Sequence, residues 1–164
     1  MDIRKTINFS MLLALSVVLS IFESLIPIIN GSIPGLKLGF ANIVILFILY
    51  RYNFKDAIYL SILRVILVAL LRTGFGINFI FSLVGAILSV SAMFIFKKLK
   101  FSIITVSVMG SIFHIIGQII TTIILLDTFN LIYYLPYLII FSIITGFVIG
   151  VITKEILERT KEII

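Results

Sequence analysis

INFIFSLVGAILSVSAMFIFKKLKFSIITVSVMGSIFHIIGQIITTIILL, residues 77–126, is two apolar runs parted by Lys97, Lys98 and Lys100. A helix needs roughly 20 apolar residues to cross the hydrocarbon core of a bilayer. Each run reaches that length without one Asp, Glu, Lys or Arg. Such segments are written for lipid, and the lysines between them mark a return to water. The rest of the chain follows the same rule. Of 164 residues, 62% are hydrophobic and 12% are charged, against roughly a quarter charged in soluble domains. The mean hydropathy is +1.32.

Continuing outward from 77–126, the pattern predicts an all-α polytopic membrane protein. One integral domain, 1–164, would hold six transmembrane helices at about 6–26, 38–50, 54–71, 77–96, 101–126 and 132–152. The first is too long for the apolar region of a cleavable signal, about 7–15 residues. The second is short unless its leading motif dips into the protein. The cations orient the bundle. Arg4 and Lys5, Arg51 and Lys55, the 97–100 lysines, and Lys154, Arg159 and Lys161 fall on one side if six spans alternate. By the positive-inside rule that side is cytoplasmic, with both termini on it. A net charge of +6 is thus an orientation signal and not a nucleic-acid footprint. A bacterial cytoplasmic membrane is the expected location.

Lys37 and Arg72 belong to the opposite side, and Arg64 lies inside the third span. A charge at mid-span costs about 2.5–3.5 kcal/mol on insertion scales, so it normally faces the bundle interior or a wet cavity and has a partner. Glu23, near the outer end of the first span, can pair with Arg64; alternatively Arg64 or Arg72 meets an anion, and Arg72 can also snorkel to the interface. Pro34-Gly35-Leu36-Lys37-Leu38-Gly39-Phe40-Ala41-Asn42 places a cation and an amide where one span opens. The preceding connection, Ile26 to Gly35, has two prolines and two glycines and can fold back over a pocket.

Polar residues also recur along the fifth span: Ser107, Ser111, His114, Gln118 and Thr121 or Thr122, bordered by Gly110 and Gly117. The spacing is helical. Either the stripe makes interhelical hydrogen bonds, or His114 and Gln118 meet a ligand. Ser16, Ser20, Glu23 and Pro27 form a second stripe, facing the same cavity or bonding carbonyls one turn back. Asn78, Ser82, Gly85 and Ser89, and Ser142, Gly146 and Gly150, read as packing seams. Ser10 and Ala14 on the first span are a small-residue pair that a partner protein can contact. Tyr133, Tyr134 and Tyr137 suit the headgroup level.

Several chemistries are excluded. There is no cysteine, a single histidine, no Walker-type glycine loop and no paired aspartate motif for magnesium and a diphosphate. No metal or other cofactor is expected, and the chain is not expected to act as an enzyme.

PGLKLGFAN at 34–42, Arg64, RTG at 72–74, SLVGAILS at 82–89 and HxxGQ at 114–118 resemble the Gx transporter family, often labelled heptaprenyl diphosphate synthase component I. That family is similar to the substrate-binding S components of energy-coupling factor transporters, six-helix membrane proteins of this size. The resemblance implies a vitamin-like or anionic solute held from the outer face, and partners comprising a membrane scaffold subunit and two ATPase subunits. It agrees with a pocket built from Lys37, Asn42, Arg64, Arg72, His114 and Gln118, with Glu23 orienting Arg64 or binding an amine. The label itself implies a different role, an accessory subunit in isoprenoid or quinone assembly. A membrane component of a flavin- or quinone-linked electron-transfer system is a further alternative.

Overall fold

The computed structural model describes residues 3–25, 39–127 and 129–160. Lys37 and most of the 34–42 motif lie outside them, as do Pro27 and Lys161. The described residues form an all-α bundle of six α-helices: α1 (Ile3–Leu25), α2 (Ala41–Arg51), α3 (Phe54–Val68), α4 (Ile77–Lys98), α5 (Ile103–Leu126) and α6 (Leu135–Arg159). A wider π-turn, Ala69–Thr73, prolongs α3, and a 3-10 turn, Phe129–Tyr134, leads into α6.

The bundle is that of a multi-pass membrane protein, but its helices are not six equal spans. Among the described residues, four segments are long and apolar enough to cross a bilayer: Ile3–Glu23, Ile77–Lys98, Ile103–Leu126 and Ile132–Arg159. Helix α2 has 11 residues and measures roughly 16 Å, about half the hydrocarbon thickness. It is short because Gly39, at φ +82, turns the chain just before it, and Asn53 caps the next helix just after it. Asn53 Oδ1 accepts from the Asp56 N–H at 2.8 Å. Helix α3 carries Lys55, Asp56 and Arg64, with Arg72 in its π-turn, so charges interrupt this wall of the bundle.

Helix α2 is the core. Ile45, Leu46, Ile48 and Leu49 are completely buried, wrapped by α1, α3, α4 and α6. A helix apolar all round belongs in such a position. The outer helices turn their apolar surface to lipid instead: on α1, Ile3, Ile7, Met11, Leu15, Val18 and Phe22 are exposed. Ser10 and Ala14 lie on that same exposed side.

Small residues set how closely the remaining helices approach. A Cβ on Gly117 would stand 3.0 Å from Gly85 Cα, and one on Gly150 would stand 2.8 Å from Ile104 Cα. Helix α5 is therefore held between α4 and α6 by near backbone contact, where close van der Waals fit replaces the hydrophobic effect that lipid removes. The α4–α5 turn closes tightly, with Lys100 at φ +63 and the Phe101 N–H on Phe96 O at 3.2 Å.

The cation-bearing end is tied by specific contacts. Lys5 Nζ reaches Asp56 Oδ2 at 2.7 Å, joining α1 to α3. Lys97 Nζ donates to Leu49 O at 2.5 Å and lies over the Tyr50 ring. Lys5→Met is expected to cost about 1 kcal/mol, the upper range for a partly exposed ion pair. In thermal unfolding of the solubilised protein, adding Asp56→Asn to that variant is expected to cost little more.

Candidate functional site

The chain that enters α2 builds one wall of the site. Gly39 donates its N–H to Glu23 Oε1 at 2.6 Å, and its carbonyl accepts from the Asn42 N–H at 2.7 Å. Asn42 Oδ1 then accepts from Arg64 Nη1 at 3.3 Å. Glu23, Asn42 and Arg64 are each buried and come from α1, α2 and α3. The result is a connected polar run from a carboxylate to a guanidinium across three helices. Gly39 is indispensable to it, since φ +82 is strained for any residue with a side chain. A Cβ there would also stand 3.1 Å from Asn42 Nδ2. Gly39→Ala is expected to cost about 1–2 kcal/mol, and the loss should appear as a lower melting temperature.

Helices α5 and α6 supply the facing wall. A small cleft of about 10 Å³, room for about one water, is lined by Gly39, Asn42, Ser111, His114, Ile115, Ser142 and Thr145. Much of the α5 polar stripe does not serve it. Thr121 Oγ1 donates to Gly117 O and Thr122 Oγ1 to Gln118 O, both at 2.7 Å. Ser142 and Thr145 likewise donate to carbonyls of their own helix, Ile139 O and Ser142 O, which leaves their oxygens able to accept. Ser16 and Ser20 are satisfied in the same manner by Leu13 O and Ser16 O. By contrast, the Ser111 hydroxyl and the Gln118 amide make no hydrogen bond among the described residues. Gln118 is buried, and its Cγ lies 3.0 Å from where a Gly85 Cβ would be. His114 Cε1 lies 3.2 Å from the same point. The absent side chain of Gly85 thus makes the room that both residues occupy.

The structure therefore brings Asn42 and His114 to one cleft, with Arg64 and Glu23 behind Asn42 and Gly39, and Gln118 one turn from His114. Arg72 stands apart. It is exposed, and its Nη1 donates to Ile21 O at 2.9 Å, tying the π-turn to the end of α1. Lys37 lies outside the described residues. The sequence pattern marks Gly39 only as part of the 34–42 motif and does not mark Thr145, and it assigns Ser111 and Ser142 to helix packing. The spacing of Ser142, Thr145 and Gly146 on one face of α6 was the available signal. Among the described residues there is no group of His, Asp and Glu that could hold a metal ion.

The arrangement offers an amide, three hydroxyls and an imidazole around a narrow cleft, with the Arg64 guanidinium bonded to Asn42 behind it. It suits directional binding of a small polar molecule. A family model described as heptaprenyl diphosphate synthase component I matches residues 12–156. No curated protein and no solved structure matches the chain.

Proposed function

We propose that this chain, which belongs to the heptaprenyl diphosphate synthase component I family, is the solute-binding membrane subunit of a larger assembly. One observation carries the reading. In a chain made for lipid, Glu23, Asn42 and Arg64 are buried together beside a cleft where Ser111 and His114 face Asn42. Buried ionisable groups in membrane helices are costly and mark binding sites or ion paths. Ser111 has no internal partner among the described residues. The solute is small and carries an anionic or strongly hydrogen-bonding group, the class that the Asn42 amide, the His114 imidazole and the Arg64 guanidinium behind them recognise.

The word "component" in the family description supports a subunit that works with partners. In the finer reading those partners are a membrane scaffold subunit and two ATPase subunits, and the cleft opens to the extracytoplasmic side. Lys37 would add a second cation at its rim. The same description favours a second reading, an accessory subunit beside a prenyltransferase. Co-purification from native membranes separates the two: ATPases and a scaffold support the first, a prenyltransferase the second. The central test is mass spectrometry of small molecules retained by the purified protein. A polar solute is expected in the wild type and lost in His114→Ala and Arg64→Lys. Identical solute content in all three proteins would place the site elsewhere.

A further inference from the structure

The surface charge of the bundle is very unequal. At the end formed by the start of α1, the α2–α3 junction and the α4–α5 turn, Arg4, Lys55, Lys98 and Lys100 are exposed and Arg51 is half-buried. Among the described residues none of the five makes an ion pair or a side-chain hydrogen bond. Asp56 is the one carboxylate described at these junctions, and Lys5 takes it at 2.7 Å. Among the described residues, the five cations therefore have no carboxylate partner.

Three contacts bring the junctions together. Lys5–Asp56 joins α1 to α3, Lys97 joins α4 to the end of α2, and the Phe54 and Phe94 rings, 4.4 Å apart, join the start of α3 to the end of α4. Lys55 follows Phe54, and Lys98 lies one turn beyond Phe94. The lysines thus flank a half-exposed aromatic pair. Exposed apolar side chains run from the same positions along the bundle: Ile95 and Leu99 on either side of Lys98, Phe101 beside Lys100, and Tyr59 one turn from Lys55.

We propose that this corner is a seat for an anionic phospholipid, with the phosphate among Lys55, Lys98 and Lys100 and the acyl chains along Phe94 and Ile95. Cations alone would suit any polyanion. Cations rooted in an exposed apolar face suit a ligand with both parts. The seat is independent of the solute cleft, and none of its residues lines that cleft.

The test is native mass spectrometry of the detergent-solubilised full chain titrated with phosphatidylglycerol or phosphatidylcholine. Phosphatidylglycerol adducts are expected at a lipid concentration at least tenfold lower than phosphatidylcholine adducts. Each cation near an anionic headgroup contributes roughly fivefold, so Lys55→Gln/Lys98→Gln/Lys100→Gln should erase the preference without altering solute content, and raised salt should weaken it. Equal binding of the two lipids, or a preference kept by the triple variant, overturns the proposal. Inorganic pyrophosphate displacing phosphatidylglycerol at equal concentration would assign the corner to a free anion and also overturn it. If the triple variant does not fold, Lys98→Gln alone and the salt dependence of the wild-type preference decide the matter.

Discussion

Arg64→Met is expected to lower the melting temperature of the solubilised protein by roughly 5–10 °C, from the loss of a buried hydrogen bond to a charged group. It is also expected to abolish solute retention. The side chain is 7% exposed and donates to Asn42 Oδ1 at 3.3 Å. Methionine keeps the apolar stem but leaves that oxygen buried without its donor. It also removes the positive charge near the Glu23 carboxylate, itself 4% exposed. Removing one member of a buried polar set costs more than replacing the set, because the survivors keep their desolvation penalty. Arg64→Met with Asn42→Leu should therefore regain part of the lost stability. If Arg64 serves binding as well as folding, the double variant remains unable to retain solute. Recovery of both properties together would reduce Arg64 to a structural role.

The second large effect is expected at Gly146. A Cβ there would stand 2.7 Å from Val108 Cα and 2.9 Å from Ser111 Oγ. The first contact is backbone and cannot rotate away. Gly146→Val must therefore push α6 off α5, with an overpacking cost of about 3 kcal/mol or more. Ser111 and Thr145 line the same cleft from those two helices, so separating the helices pulls its walls apart. A fall in melting temperature of roughly 6–12 °C together with loss of solute retention is expected. Gly76→Ala is the milder comparison: nothing lies within 4 Å of its added Cβ, and only the poorer N-cap it gives α4, about 0.5–1 kcal/mol, is expected to show.

Much of this molecule is legible in its residues. The charge-free runs on either side of Lys97–Lys100 became α4 and α5 with their boundaries within a few residues. The motif around Asn42 and the mid-span Arg64 stood out because lipid penalises them, and the two side chains are bonded to each other. The second span was harder. Its composition resembles that of the others, yet α2 is a half-length helix enclosed by four neighbours. Hydropathy cannot tell a side chain facing lipid from one facing another helix, since both surroundings are apolar. The α5 stripe was visible as a period, but not which of its members were already engaged. Thr121 and Thr122 bond the turn before them, whereas Ser111 does not.

By itself, the sequence determined the solvent, the helical class and the positions where a polar group needed a reason to be present. These follow from transfer free energies that accumulate residue by residue and need no knowledge of distant contacts. Only the tertiary structure decided which polar groups meet. The run from Glu23 through Gly39 and Asn42 to Arg64 depends on one left-handed backbone turn, and the facing wall depends on α5 and α6 approaching at Gly146. Hydrogen-bond satisfaction is a property of pairs far apart in the chain, so the choice between a structural and a ligand-facing polar residue is made by the fold.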